Sequence, residues 1–158
     1  MEKKALIIVD YQYDFANPNG SLYWPDGEML REGILKKIEE YKTKGDLVVM
    51  TMDWHPKDHC SFKQWPPHCI QNTKGAQLLI DEKLADLIVK KAVYQDRDSY
   101  SAFNQQIIGV LPLETWLKQK NVNKIEICGL VKQYCVEETH KDALLHGFQS
   151  TILEELVK

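Results

Sequence analysis

Short apolar runs that alternate with helix-forming segments constrain the fold of this chain more than any other feature of its sequence. Residues 5–9 form a continuous, partly β-branched run that stops at Asp10, which is typical of a strand buried on both faces. Similar runs predict strands at residues 47–52, 87–92 (the weakest), 124–128 and 148–153. Helical spacing predicts helices at residues 29–44, 113–120 and 136–146, with Gly45 and Gly147 as helix ends. This alternation predicts an α/β protein with a three-layer α/β/α, doubly wound fold and a mainly parallel central sheet.

Length and composition limit the classes of protein that this chain can belong to. With 158 residues, 44% of them hydrophobic, we expect a single domain over residues 1–158. A net charge of −3 without a long charge run argues against a nucleic-acid partner. The first apolar run breaks at Asp10 and no stretch reaches membrane-spanning length, so we expect no signal peptide, no membrane partner and a cytoplasmic location. Four cysteines without a CxxC pair favour reduced thiols.

Polar residues follow several of the predicted strands. Long irregular stretches at residues 16–26, 54–73 and 95–109 come after the strands, and ligands of parallel α/β sheets bind where such loops meet the carboxyl ends of the strands. Asp10, Asp53, Lys91 and the segment 129–135 lie at or just after strand ends. We therefore expect them to converge at one edge of the sheet.

Three of these residues have the chemistry for nucleophilic catalysis. Cys135 follows a strand and a glycine turn at the start of a helix, where the helix amino terminus favours the thiolate and nearby N–H groups suit an oxyanion. The alternative is a buried packing cysteine. Asp10 has the carboxylate to take the thiol proton, or it caps a loop. Lys91 has the charge to lower the pKa values of the Cys135 thiol and the Asp10 carboxyl. The alternative is a solvated lysine at a strand end, and the neighbouring Lys90 leaves this choice open.

A cluster of potential metal ligands follows the second predicted strand. Three of the five histidines, His55, His59 and His68, fall within fourteen positions beside Asp53. Imidazole and carboxylate ligands of this kind suit one divalent ion, with zinc favoured and manganese or iron(II) as alternatives. A chance group of surface histidines is the competing interpretation.

Aromatic residues are interleaved with these polar groups along the chain. Phe15, Trp65 and Tyr100 suit the walls of a flat pocket for an aromatic ring. Packing in the core or in loops is an equally good interpretation of their positions.

Six motifs in order along the chain carry a resemblance to a known family. The first five are LIIVDYQYDF at 6–15, GSL at 20–22, DWHPKDHCSF at 53–62, WPPHC at 65–69, and Lys91 with DSYSAF at 98–103. The sixth spans residues 128–147 and consists of CGL at 128–130, YCV at 134–136, Thr139, Asp142 with Ala143, and Gly147. Together they resemble the isochorismatase-like cysteine hydrolases, and within them the nicotinamidase/pyrazinamidase branch. The resemblance implies a metal-dependent amidohydrolase that converts nicotinamide to nicotinate and ammonia and also accepts pyrazinamide.

The resemblance also implies a role for each site residue. Asp10, Lys91 and Cys135 would form the catalytic triad, with an acyl-thioester on Cys135 that water hydrolyses. The oxyanion would bind the N–H groups of Val131 and Cys135, with a cis peptide bond between Leu130 and Val131.

The remaining implied roles concern the metal and the ring of the substrate. Asp53, His55 and His68 would hold the metal, which takes the pyridine nitrogen directly or through water, with His59 as a nearby or additional ligand. The ring would lie between Phe15, Trp65 and Tyr100. As partners we expect the small-molecule substrate and further copies of this chain in a homo-oligomer.

The chain departs from the family pattern at three places. Ala92 follows Lys91 where glycine is usual, and Lys132 and Gln133 stand where threonine and aspartate are usual. The chain stops at Lys158, just past the fifth predicted strand, so we expect a C-terminal element to be missing and one sheet face to be partly uncovered. These departures leave two alternatives: a weakly active or inactive member that serves as a binding or assembly module, and a hydrolase of another small amide.

Overall fold

Five parallel strands form one sheet in a computed structural model that describes residues 1–104 and 107–158. The strands are β1 (Lys3–Val9), β2 (Leu47–Asp53), β3 (Leu87–Lys91), β4 (Val122–Gly129) and β5 (Gln149–Val157), in the spatial order β3-β2-β1-β4-β5. Each neighbouring pair is parallel, which confirms the predicted α/β class. Gln105 and Gln106, in the irregular stretch predicted over 95–109, lie outside the described residues.

Helices cover both faces of the sheet. They are α1 (Tyr13–Ala16), α2 (Arg31–Thr43), α3 (Leu113–Gln119) and α4 (Glu137–Leu145). Because successive side chains of a strand point to opposite faces, Leu6 and Ile8 of β1 pack in one core with Ile34 of α2. Ile7 of β1 packs in a second core with Leu117 of α3 and with α4. The three predicted layers are therefore present.

Two helices begin later than their sequence patterns predict. The segment predicted as a helix from residue 29 starts with a 3₁₀ turn at Gly27–Leu30, and α2 begins at Arg31. The helix predicted from residue 136 is preceded by a single π-helical turn at Lys132–Val136 that contains Cys135. Such turns are frequent at functional sites, where they re-aim a side chain.

The last strand, β5, lies at one edge of the sheet. It extends beyond its predicted end at residue 153, and Leu153, Leu156 and Val157 are buried. Its most exposed side chains are polar, so the partly uncovered apolar face expected here is not observed on this strand. Elsewhere, no helix within the two described stretches has the length and apolar character needed to cross a bilayer.

A partly buried polar cluster joins α2 to β4. Glu126 Oε1 accepts a hydrogen bond from the Tyr41 hydroxyl at 2.5 Å, and Lys4 Nζ lies 3.4 Å away. Burial raises the pKa of Glu126, but the Tyr41 hydroxyl and the ammonium groups of Lys4 and Lys37 together lower it by more. The pKa of Glu126 therefore lies below its ordinary value. The carboxylate is thus held in its charged form at neutral pH.

The first prediction tests this cluster through the variant Glu126→Gln. We expect the free energy of unfolding near neutral pH to fall by about 1–2 kcal/mol, because hydrogen bonds to a charged group are lost. The folded-state pKa lies below the unfolded one, so the stabilisation is present above about pH 4.5 and is lost as the pH falls through the folded-state value. Urea unfolding of both proteins across this range measures the difference, with Tyr41→Phe as the control that keeps the carboxylate. A difference that does not shrink at low pH would contradict the prediction.

Candidate active site

The predicted site residues meet at the carboxyl edge of the sheet. Asp10 follows β1, Asp53 ends β2, Lys91 ends β3, and Cys135 lies in the π-helical turn after β4. These four strands are adjacent in the sheet, so their ends lie side by side. In the register of β2 and β3, Asp53 is directly paired with Lys91.

Lys91 is the fully buried cation of the site. Its Nζ lies 2.8 Å from Asp10 Oδ2 and 3.4 Å from Asp53 Oδ1, and it donates a hydrogen bond to the carbonyl of Tyr100 at 2.8 Å. Burial lowers the pKa of Lys91, but Asp10, Cys135 and Asp53 raise it well above its ordinary value, so the ammonium stays charged. Lys90 is exposed and lies over the Trp54 ring at 4.2 Å, which resolves the choice between the two lysines.

Asp10 is fixed from the neighbouring strand. The Thr51 hydroxyl donates to Asp10 Oδ1 at 2.7 Å, and the Asp10 N–H lies 3.1 Å from the same hydroxyl oxygen. Burial raises the pKa of Asp10, although Lys91 opposes the shift. Thr51 was not among the predicted site residues. Its signal in the sequence is a polar residue inside an otherwise apolar strand.

Cys135 is buried beside both carboxylates. Its sulfur lies within 4.8 Å of a carboxylate oxygen of Asp10 and of Asp53. Burial raises the pKa of the Cys135 thiol well above its ordinary value, Lys91 lowers it, and the two carboxylates raise it again. Burial and the two carboxylates therefore oppose the thiolate that the helix amino terminus was expected to favour, whereas the Lys91 ammonium supports it. The expected cis peptide bond between Leu130 and Val131 is present.

Asp53, His55 and His68 bring three metal-ligand atoms together. His55 Nε2 lies 3.4 Å from Asp53 Oδ2, and His68 Nε2 lies 3.8 Å from the same oxygen. The Nδ1 atoms of the two rings lie 3.0 Å from the Ala92 carbonyl and 2.7 Å from the Pro66 carbonyl. When each Nδ1–H donates to its carbonyl, Nε2 keeps the lone pair that a metal needs.

The charge states of Asp53 and His68 also fit a divalent cation. Burial raises the pKa of Asp53, but Lys91 and His55 more than offset it, so the pKa lies below its ordinary value and the group is a carboxylate. Burial lowers the pKa of His68 and favours neutral imidazole. Burial also lowers the pKa of His55, but the hydrogen bond and charge of Asp53, with smaller contributions from other neighbours, raise it above its ordinary value. One carboxylate and two imidazoles are a donor set that suits zinc and similar ions.

His59 lies beside this set of ligands. Its ring stacks on that of His55, with centroids 4.1 Å apart and an interplanar angle of 18°. His59 Nδ1 lies 2.7 Å from the Ser61 hydroxyl oxygen, and Nε2 lies 2.7 Å from the Arg97 carbonyl oxygen. Both nitrogens thus contact protein atoms, and His59 does not belong to the group formed by Asp53, His55 and His68, whose potential ligand atoms lie within 4.8 Å of one another.

An aromatic pocket opens over Cys135 and the three ligand residues. Phe15, Trp65 and Tyr100, predicted from the sequence, all line it. The sequence interpretation assigned no role to five further lining residues, which are Leu22, Trp24, Ser61, Asp98 and Tyr134. Tyr134 makes ring contacts with Trp24, Trp65 and Tyr100, at centroid distances of 6.3, 5.3 and 5.7 Å. Because Tyr134 directly precedes Cys135 in the sequence, its place in the pocket could have been inferred from that position.

Comparison with known proteins places the whole chain in a family. The sequence matches the Isochorismatase domain over residues 4–158. The chain belongs to the isochorismatase family. It is 33% identical to the nicotinamidase/pyrazinamidase of Mycobacterium tuberculosis over 162 residues, which cover 97% of this chain and 85% of that protein.

Solved structures show the same relationship. The pyrazinamidase of Pyrococcus horikoshii in complex with zinc is 40% identical, with a TM-score of 0.91 over 99% of this chain and 86% of that chain. PnC1 from L. infantum in complex with nicotinate is 36% identical, with a TM-score of 0.88 over 98% of this chain and 80% of that chain.

Among the residues that depart from the isochorismatase-family motifs, Lys132 alone has a side chain with a polar partner in the part of the chain that is described. Ala92 has a φ of 50°, in the left-handed region that favours the glycine usual at this position. The Lys132 ammonium pairs with Glu154 of β5 at 2.6 Å. The Lys132 N–H donates to the Lys158 carbonyl at 2.7 Å, so the nucleophile turn is tied to the end of β5. Gln133 is exposed.

The second prediction concerns the Cys135 thiol in chelator-treated protein. Alkylation of Cys135 by iodoacetamide should accelerate only at pH values above the ordinary thiol range, because the pKa is raised. In a plot of the alkylation rate against pH, Asp10→Asn should move the midpoint to lower pH, since it removes a negative charge beside the thiol. Lys91→Met should move the same midpoint to higher pH, since it removes a positive charge. Mass spectrometry of the Cys135 peptide gives the rate, with the peptide of the half-buried Cys60 as the internal control. An unchanged or higher midpoint in Asp10→Asn would show that Asp10 does not set the state of the thiol.

Proposed function

We propose that this isochorismatase-family protein is a metal-dependent nicotinamidase that hydrolyses nicotinamide to nicotinate and ammonia and also accepts pyrazinamide. The observation that carries the proposal is the meeting of Cys135, Asp10 and Lys91 with three metal-ligand residues at the base of one aromatic pocket. The zinc-containing pyrazinamidase and the nicotinate complex among its relatives support this assignment.

The first half-reaction begins with the neutral thiol of Cys135. Asp10 takes the thiol proton as Sγ forms a bond to the carboxamide carbon, and the buried Lys91 ammonium offsets the negative charge that develops. The N–H groups of Val131 and Cys135 receive the oxyanion. When the C–N bond breaks, Asp10 returns the proton to the leaving nitrogen, so ammonia departs and a thioester remains on Cys135.

The second half-reaction reverses the roles. Water attacks the thioester carbon while Asp10 accepts its proton, the C–S bond breaks, and the proton returns to Sγ. The product is the pyridine carboxylic acid, which loses its remaining proton to solvent to give the carboxylate, and the site regains a neutral thiol. The same carboxylate thus acts as base twice and as acid twice, and the burial that raises the pKa of Asp10 makes it a better base for these transfers.

The metal would be held by Asp53, His55 and His68, with zinc favoured and manganese or iron(II) as alternatives. A bound divalent ion supplies a Lewis acid for the ring nitrogen of the substrate. The protein contributes the carbonyls of Ala92 and Pro66, which fix the two imidazoles. Phe15, Trp65 and Tyr100 hold the ring between them, which orients its carboxamide toward Cys135. The homo-oligomeric state expected from the sequence stays a prediction.

The third prediction is ammonia release from nicotinamide and from pyrazinamide by zinc-loaded protein. Cys135→Ala should lower kcat by at least about a thousand-fold, because the nucleophile is lost. Cys60→Ala, which removes a half-buried cysteine outside the pocket lining, should keep the activity. A well-folded, zinc-loaded wild type without ammonia release at saturating nicotinamide would favour the binding-module alternative, and release only from other amides would favour a different hydrolase.

The fourth prediction concerns the metal. Chelation should abolish ammonia release, added zinc should restore it, and elemental analysis should find one ion per chain. His68→Ala should lose the ion, whereas His140→Ala, which removes a histidine paired with Ser150, should keep it. Zinc at about 100 times its Kd should stabilise the wild type by about 2.7 kcal/mol in thermal unfolding. Stoichiometric binding by His68→Ala at wild-type affinity would exclude this ligand set.

A further inference from the structure

The buried Gln12 is close to the proposed metal site but lies outside the pocket. Gln12 follows β1 and precedes α1 in the chain, and its side chain is fully buried. Gln12 Oε1 accepts a hydrogen bond from the Asp53 N–H at 2.9 Å, and Gln12 Nε2 donates to the Asp53 carbonyl at 2.8 Å. Nε2 also donates to the Ala76 carbonyl at 3.0 Å. One amide therefore satisfies both backbone polar groups of the residue that carries the central carboxylate.

The position of Asp53 in the sheet explains why this amide is needed. The paired register of β1 and β2 ends at Ile8 and Met50, three residues before Asp53. On that side the backbone of Asp53 has no strand beside it, and unpaired buried N–H and C=O groups are costly. The Gln12 side chain takes the place of the missing strand.

A fixed backbone at Asp53 determines where its carboxylate points. Oδ2 faces His55 and His68, and Oδ1 faces Lys91. The short, buried side chain of Asp53 has little freedom to correct a shift of its own backbone. We propose that Gln12 is a positioning residue that sets the affinity of the site for its divalent ion by holding the Asp53 backbone. This inference rests on the proposed function, because it takes Asp53 as a metal ligand.

The test is the Kd for zinc, measured by competition with a chromophoric chelator on purified full-length protein. Gln12→Met keeps the length of the side chain and removes its three hydrogen bonds. We expect zinc binding to be about ten- to a hundred-fold weaker, the usual effect of losing support behind a metal ligand. Tyr11→Phe is the matched control, because it removes a buried hydrogen bond to the Gly27 carbonyl from the adjacent residue. Its zinc Kd should stay within about two-fold of the wild type.

Thermal unfolding of the chelator-treated proteins separates positioning from general loss of stability. Support for the proposal is weaker zinc binding by Gln12→Met than by Tyr11→Phe at comparable unfolding midpoints. Wild-type affinity in Gln12→Met would overturn it, and so would an equal loss in both variants. If Gln12→Met does not fold, Gln12→Asn decides by the same criteria, since its amide is one methylene too short to reach both Asp53 groups. A wild type that neither binds zinc nor releases ammonia would instead refute the proposed function.

Discussion

The buried ammonium of Lys91 is the interaction on which the rest of this structure depends. A charge in the protein interior is tolerated only when it is paired and hydrogen-bonded. Here the partners are two carboxylates and a backbone carbonyl, contributed by Asp10, Asp53 and Tyr100. The two carboxylates and Lys91 stand at the ends of three adjacent strands, so the register of the sheet is what brings the charges together.

This network links the two halves of the site through one residue. Asp53 Oδ1 faces Lys91, which also lies near the proposed nucleophile Cys135, and Oδ2 faces the two histidines of the proposed metal site. The charge on Asp53 therefore acts on the Cys135 thiol and would act on a cation bound at the proposed metal site. Its carboxylate raises the pKa of Cys135, and Lys91 keeps that carboxylate ionised. A bound cation at Asp53 would partly cancel the negative charge that the thiol experiences.

Groups outside the pocket hold the reacting side chains in place. Thr51 holds the Asp10 carboxylate, Gln12 holds the Asp53 backbone, and the Asp14 carboxylate accepts the Cys69 N–H at 2.8 Å, next to His68. Each is a polar residue inside a buried segment, where an unpaired donor or acceptor is costly. The residues that hold the site in place thus lie in the same short stretches of chain as the site residues themselves, which explains why the family motifs are dense there.

The sequence by itself determined the parallel α/β sheet and the edge at which Asp10, Asp53, Lys91 and Cys135 gather, because apolar runs mark strands and parallel strand ends meet at one edge. Ordered motifs added the family. Strand periodicity left Lys90 and Lys91 as alternatives, and the tertiary structure buries Lys91 and exposes Lys90; it also buries the Cys135 thiol, which raises its pKa. It also revealed Gln12, Thr51 and Trp24, whose partners lie elsewhere in the chain. Burial and distances between remote segments control these properties, and neither is a function of local sequence.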